Sequence, residues 1–164
     1  MENLNATKLV FTVKSPQQQT VVVAQTKNDF HGRVIVLDPG HGGYDPGAMR
    51  NNVMEKNITM SIAKLIERNL KAQGATVIMT RTDDKFVSLE DRVVISNNKK
   101  PDIFVSVHIN SSENASAHGI ETHYFKDDSL ELAKSIHKSM ATEIEETDRG
   151  ILKSRFYVIR HTNQ

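Results

Sequence analysis

The chain has 164 residues, 38% of them apolar, which suffices for one globular domain with a core and leaves too few for two. Acidic and basic side chains nearly cancel to a formal net charge of +1, and no dense basic block or aromatic-interleaved basic stripe appears, so nucleic acid is excluded as an expected partner. No apolar run approaches the roughly 20 residues that span a bilayer. No export signal opens the chain, and the absence of cysteine leaves His, Asp and Glu to hold any metal.

Residues 1–32 carry two short β-branched runs, 9–13 and 20–24, separated by a polar stretch that contains Pro16, and read as a β-rich, hairpin-like leader or linker. From Arg33 onward, strands alternate with helices. Residues 34–37 form a buried strand that runs into a glycine-rich turn, and the turn presents His41. Residues 55–73 have the spacing of a helix with Ile58, Ile62, Leu65, Ile66 and Leu70 on its inward face, stopped by Gly74. A strand over 75–79 follows. Ser88 and Asp91 then have capping-box spacing for a short helix over 88–97. The next strand, 102–108, again ends on a histidine. Residues 119–125 read as another strand, and 129–146 as a helix with Leu132, Ala133, Ile136, Met140 and Ile144 inward. This alternation implies an α/β fold: a mostly parallel twisted sheet flanked by helices on both faces, in a single domain.

In open α/β sheets the chemistry collects at the carboxyl ends of the strands. His41 and His108 both fall there, and Glu55 sits at the head of a helix where its carboxylate can turn toward the same edge. Two imidazoles and a carboxylate, with a fourth position open, form the donor set of a catalytic zinc site. Other readings stand beside it. Either histidine also fits a hydrogen-bonded structural role, and Glu55 also suits a helix start through the macrodipole. The glycine turn has the outline of a phosphate cradle too, although no lysine followed by Ser or Thr completes a P-loop.

Over residues 33–160 the chain resembles the zinc-dependent N-acetylmuramoyl-L-alanine amidases of bacterial cell-wall turnover, with a catalytic domain of the amidase-3 type. The resemblance is carried by Leu37-Asp-Pro-Gly-His-Gly-Gly43, Glu55, Thr80-Arg-Thr-Asp83, Leu89, Arg92, Phe104-Val-Ser-Val-His-Ile-Asn110, Gly119-Ile-Glu121, Arg149-Gly-Ile151 and Phe156-Tyr-Val-Ile-Arg160. It implies Zn2+ held by His41, Glu55 and His108, and cleavage of the amide between N-acetylmuramic acid and L-alanine. The implied partners are peptidoglycan or muropeptide as substrate and a cell-division or activator protein. The implied location is the periplasm or the cell wall.

The resemblance also implies a glutamate general base on a further apolar strand after residue 160. The sequence stops at Gln164, so the expected amidase catalytic domain, 33–164, lacks that last strand. No catalytic residue is then expected in this chain, and turnover is weak or absent, since loss of positioned proton transfer costs about 10²- to 10⁴-fold in rate. Asn110 is expected to support the site by orienting a ligand or a substrate carbonyl, although Asn also suits a turn leaving a strand. Arg81 and Asp83 read as closing a turn, Arg92 as a helix-surface cation, and Glu121 as a solvated or arginine-paired carboxylate. His118, His123, His137 and His161 read as incidental, with His137 on the polar side of its helix. Some relatives carry an occluding helical insertion after the strand that matches 119–125. Only Lys126, Asp127 and Asp128 separate that strand from its helix here, so such self-inhibition is not expected. Two alternatives complete the reading: a non-catalytic zinc-containing cell-wall binding module, and a metal-free phosphate-binding α/β enzyme.

Overall fold

Ile35, Val36 and Leu37 are all buried, and an apolar run covered on both faces is what a central parallel strand requires. The structure, a computed structural model, describes residues 30–109 and 118–163. These form two compact units, 30–109 with 155–163, and 118–154. In the first unit the chain runs through β1 (Val34–Pro39), an antiparallel pair β2 (Met49–Arg50) and β3 (Val53–Met54), and helix α1 (Glu55–Ala72). It continues through β4 (Thr76–Met79), helix α2 (Leu89–Lys99) and β5 (Ile103–Val107). β1 lies between β4 and β5 and runs parallel to both, with Val36 opposite Ile78 on one side and Phe104 on the other. Because the three strands point the same way, the ends of β1 and β5 share one edge of the sheet.

α1 begins at Glu55 and gives way at Gly74, whose φ of +90° leaves the helical region. Its buried stripe is Glu55, Thr59, Ala63, Ile66 and Leu70. The expected inward face is therefore corrected: Leu65 is 44% exposed, and Ile58 and Ile62 are only half-buried. The reason is close approach. Thr59 Oγ1 donates to the Gly40 carbonyl oxygen at 3.0 Å, so the helix sits against the turn after β1, where only small side chains fit. The start of α2 follows the expectation, with Ser88 Oγ accepting from the Asp91 N–H at 3.1 Å.

In the second unit β6 (Ile120–Tyr124) pairs in parallel with β7 (Asp148–Lys153), and a 3₁₀ turn (Asp127–Ser129) and helix α3 (Leu130–Glu143) connect them. Parallel sheets flanked by helices are thus the architecture of the described residues. α3 is shorter than the expected 129–146. It buries Ala133 and His137, so the expected polar-side position of His137 is corrected. The ring can go inside because both nitrogens find partners, Nδ1 with Thr122 Oγ1 at 3.0 Å and Nε2 with Asp148 Oδ1 at 2.7 Å.

Helix α4 (Tyr157–His161) belongs to the first unit and is tied to α2 through Asn97, which donates to the His161 carbonyl oxygen at 3.1 Å and accepts from the Asn163 N–H at 2.9 Å. The leader, apart from residues 30–32, and Asn110 lie outside the described residues. No helix among the described residues is long and apolar enough to cross a membrane.

Candidate metal centre

Buried charge holds the turn after β1 from behind. Asp38 is buried; its Oδ1 accepts from Thr80 Oγ1 and from Arg92 Nη1, both at 2.6 Å, and its Oδ2 accepts from Ser106 Oγ at 2.7 Å. One carboxylate thereby joins the end of β1 to β5, to α2 and to the residue after β4. Arg92 also donates to the carbonyl oxygens of Pro39 at 2.8 Å, His41 at 2.9 Å and Val87 at 3.0 Å. Expected on the helix surface, it is instead 3% exposed, and it tolerates burial because a carboxylate and three carbonyls take up its donors. Arg81 closes a turn onto the Asp83 carbonyl at 3.1 Å as expected, and it also donates to Pro39 O at 3.0 Å and Gly40 O at 2.8 Å.

His41 has a φ of +61°, a left-handed conformation that is uncommon outside glycine, and this redirects the chain at the strand end. Its Nδ1 lies 2.8 Å from Asp45 Oδ2. A carboxylate can only accept, so the ring proton belongs on Nδ1, and the Nε2 lone pair faces Glu55 Oε1 at 3.2 Å. His108 Nδ1 meets the same oxygen at 3.2 Å. Glu55 is buried and its carboxylate is pinned by two backbone donors, Ala48 N–H to Oε2 at 2.9 Å and Ile109 N–H to Oε1 at 2.6 Å. The two imidazoles meet edge to face with centroids 4.9 Å apart. One ligand atom from each of His41, Glu55 and His108 lies within 4.8 Å of the others.

Two glycines provide the clearance. A Cβ on Gly40 would stand 2.3 Å from His108 Cε1. One on Gly47, where φ is already +65°, would stand 2.6 Å from His41 Cδ2 and 2.7 Å from Glu55 Oε2.

The donors suit a divalent ion. Tetrahedral zinc bonds of about 2.1 Å put neighbouring ligand atoms roughly 3.4 Å apart, and two of the three pairs stand at 3.2 Å. Lone pairs and a carboxylate aimed at one point repel unless a cation or a proton lies among them. His108 is not a ready proton carrier. Although 45% of its side-chain surface is open, desolvation lowers its pKa; the Glu55 charge opposes that shift and the His41 charge adds to it. It is therefore neutral at pH 7, the state in which an imidazole ligates. For Asp45, burial raises the pKa, but the hydrogen bonds from His41 and the Gly47 N–H outweigh it and leave the carboxyl below its usual range. Asp45 thus stays ionised and orients His41, the role that a carboxylate commonly plays behind a metal-bound histidine.

The structure brings His41, Glu55 and His108 together, whereas Asn110 lies outside the described residues. The other histidines have partners of their own: Glu146 for His118 at 2.8 Å, Ser154 and Glu121 for His123 at 2.8 and 3.1 Å, and the Tyr157 carbonyl for His161 at 2.9 Å. Glu121 pairs with Arg149, as expected. Asp38 and Asp45 do not stand out in the sequence. The available signal is their position, since each is a carboxylate within four residues of His41 in a glycine-rich turn.

A mixed α/β fold with parallel sheets, and a His–Glu–His group whose ligand atoms lie within 4.8 Å of one another, define an α/β protein with a candidate metal site. Residues 35–164 match the amidase-3 family, described as N-acetylmuramoyl-L-alanine amidase, and the chain belongs to that family. It is 35% identical over 162 residues to the N-acetylmuramoyl-L-alanine amidase LytC of Bacillus subtilis strain 168, a match that covers 96% of this chain and 33% of LytC. The chain thus spans about a third of that relative's length. Among solved structures it is similar to the catalytic domain of CwlV, an N-acetylmuramoyl-L-alanine amidase from Bacillus (Paenibacillus) polymyxa var. colistinus, with 39% identity, a TM-score of 0.77 and coverage of 80% of this chain and 75% of that one. It is also similar to the CwlD amidase from Clostridioides difficile in complex with the GerS lipoprotein, with 29% identity, a TM-score of 0.71 and coverage of 80% and 77%.

Proposed function

We propose that this chain carries the catalytic part of an N-acetylmuramoyl-L-alanine amidase, in which zinc held by His41, Glu55 and His108 serves hydrolysis of the amide between N-acetylmuramic acid and L-alanine in peptidoglycan. The observation that carries the reading is the convergence of these three donors within 4.8 Å inside the family-matched segment. When bound there, zinc supplies Lewis acidity to polarise the carbonyl under attack and lowers the pKa of the attacking water. The protein's own part is positional. Asp45 fixes the His41 tautomer, the Ala48 and Ile109 N–H groups hold the Glu55 carboxylate, and the network of Asp38, Arg81 and Arg92 fixes the backbone of the turn. Asn110 is proposed to support the site.

Residues 33–164 are proposed as the catalytic segment and 1–32 as its leader or linker. A periplasmic or cell-wall location follows from the substrate. CwlD is described with a lipoprotein bound, which motivates an activator protein as a further partner here.

The test is zinc content by elemental analysis of protein purified without added metal, with His41→Ala and His108→Ala alongside. Stoichiometric zinc in the parent chain, lost in both variants, is expected, and release of L-alanine amino groups from muropeptide would then report turnover. A folded parent chain without zinc would sink the assignment.

A further inference from the structure

We propose that Tyr44 and Phe86 form a stacking platform for a sugar ring of the glycan, beside the metal group. The proposal rests on the amidase reading and deepens it by assigning a subsite to the saccharide half of the substrate. Tyr44 is 80% exposed and Phe86 40%, a large aromatic area to leave open to water on a soluble surface. Their rings stack with centroids 4.3 Å apart and planes 25° from parallel. Phe86 covers one face of the tyrosine, and the other face is open.

The platform is built on a firm base. Gly42 and Asp45 exchange backbone hydrogen bonds of 3.0 and 3.2 Å, so Tyr44 rides on a closed turn. That turn is fastened to the segment that carries Phe86. The Gly43 N–H donates to Asp84 Oδ1 at 2.8 Å, while Lys56 Nζ donates to both Gly43 O and Asp84 Oδ2 at 2.7 Å. The two segments touch, since a Cβ on Gly43 would lie 2.6 Å from the Phe86 nitrogen. Preorganisation of this kind removes the entropy cost that a free surface tyrosine would carry into a complex. Tyr44 also directly precedes Asp45, whose carboxylate lies 2.8 Å from His41 Nδ1, so one turn carries both the platform tyrosine and the residue that orients His41.

The chemistry selects the occupant. The amide to be cut joins the stem peptide to the lactyl group carried on the N-acetylmuramic acid ring, so that pyranose lies only a few bonds from the reacting carbonyl. One face of a pyranose is a sheet of C–H bonds that matches the negative face of an aromatic ring, and its hydroxyl and acetamide groups stay in water at the rim. Lys56 and Asp84, which fasten the two segments, form an ion pair with each other, and the carboxylate of Asp45, next to Tyr44, is already held by His41. A neutral sugar suits that surface better than a stem peptide with its free carboxylates.

The experiment titrates the intact chain with a peptide-free disaccharide of N-acetylglucosamine and N-acetylmuramic acid whose lactyl carboxyl is converted to a simple amide, with binding followed by calorimetry. Tyr44→Ala is expected to weaken binding roughly threefold to tenfold, and Tyr44→Phe to retain it. The chain has no tryptophan, so Tyr44→Trp supplies a unique fluorophore whose emission is expected to shift on adding the disaccharide. Equal affinity in parent and Tyr44→Ala, or no binding by the parent, overturns the platform. An equal loss in Tyr44→Phe and Tyr44→Ala also overturns stacking, because it would assign the contact to the hydroxyl. Zinc content measured in parallel separates the two ideas. Tyr44-dependent disaccharide binding by a folded chain that takes up no zinc sinks the amidase reading and leaves the platform, and zinc held by the His41, Glu55 and His108 group with Tyr44-independent disaccharide binding does the reverse.

Discussion

Asp45 works by accepting a proton it never takes up. By holding the His41 proton on Nδ1, it keeps the Nε2 lone pair turned toward Glu55 and His108. Asp45→Asn presents an amide that can donate as well as accept, and the tautomer is no longer fixed. Zinc affinity is expected to fall about 10- to 100-fold, as measured by competition with a chromophoric chelator, while the fold is retained. Unchanged affinity would remove Asp45 from the account. At this scale the sequence was informative about ligand types and silent about their support. Histidines at strand ends stand out by position, whereas Arg92 looks like any other helix cation, because charged side chains are exposed by default. Its burial follows from a partner 54 residues away. His137 misleads for the same reason, since its partners Thr122 and Asp148 lie on two strands that only the fold brings together.

Helix α1 shows what an apolar pattern conveys and what it omits. The stop at Gly74 and the helical period are legible. The inward direction is not, because Ile58, Ile62 and Leu65 outweigh the small residues that the close turn requires. Two substitutions test the orientation. Ala63→Leu forces extra methyl groups against the sheet and is expected to cost about 1–3 kcal/mol, whereas Leu65→Ala is expected to cost no more than about 0.5 kcal/mol. Chemical denaturation reads both, and the opposite ranking would mean that the helix is rotated.

The start of the sheet offers a test by pH. Asp102 accepts from the Val34 N–H at 2.8 Å and from Arg33 Nη1 at 3.0 Å. These bonds, the backbone one first, hold its carboxyl below the ordinary value. The folded chain therefore binds that proton less readily than the unfolded chain. The stabilisation is complete above the unfolded pKa of about 3.9 and disappears as pH falls through the lower folded value. Asp102→Asn is expected to lower the melting temperature at neutral pH, with the gap to the parent closing as the pH falls below the unfolded value and through the lower folded one. A gap that stays constant across that range would exclude the linkage.

For the whole molecule, metal and fold are expected to be coupled. The donors come from the end of β1, the start of α1 and the residue after β5, so they meet only in the folded chain. An ion that binds the folded state alone stabilises it by about 2.7 kcal/mol at a hundredfold excess over its dissociation constant. Zinc should therefore raise the thermal midpoint and EDTA should lower it again, and identical melting curves would argue against a site assembled by folding. The parallel α/β architecture was legible at this scale, because it follows from the order of elements. The pairing of β6 with β7 was not, since the polar ends of 148–153 give β7 no apolar run to announce it.

Gly40 needs no unusual backbone: its φ lies outside the range that side chains avoid, and its carbonyl oxygen simply serves Arg81 and Thr59. What it contributes is an absence, because any side chain there would occupy the place of the His108 ring. Folding and metal capture are therefore separable at this one position. A single added carbon leaves every strand, helix and cap with its own reasons to form, yet evicts one of the three proposed ligands. The proposed capacity to hold an ion is thus written partly as reserved volume, in a residue that would never touch it.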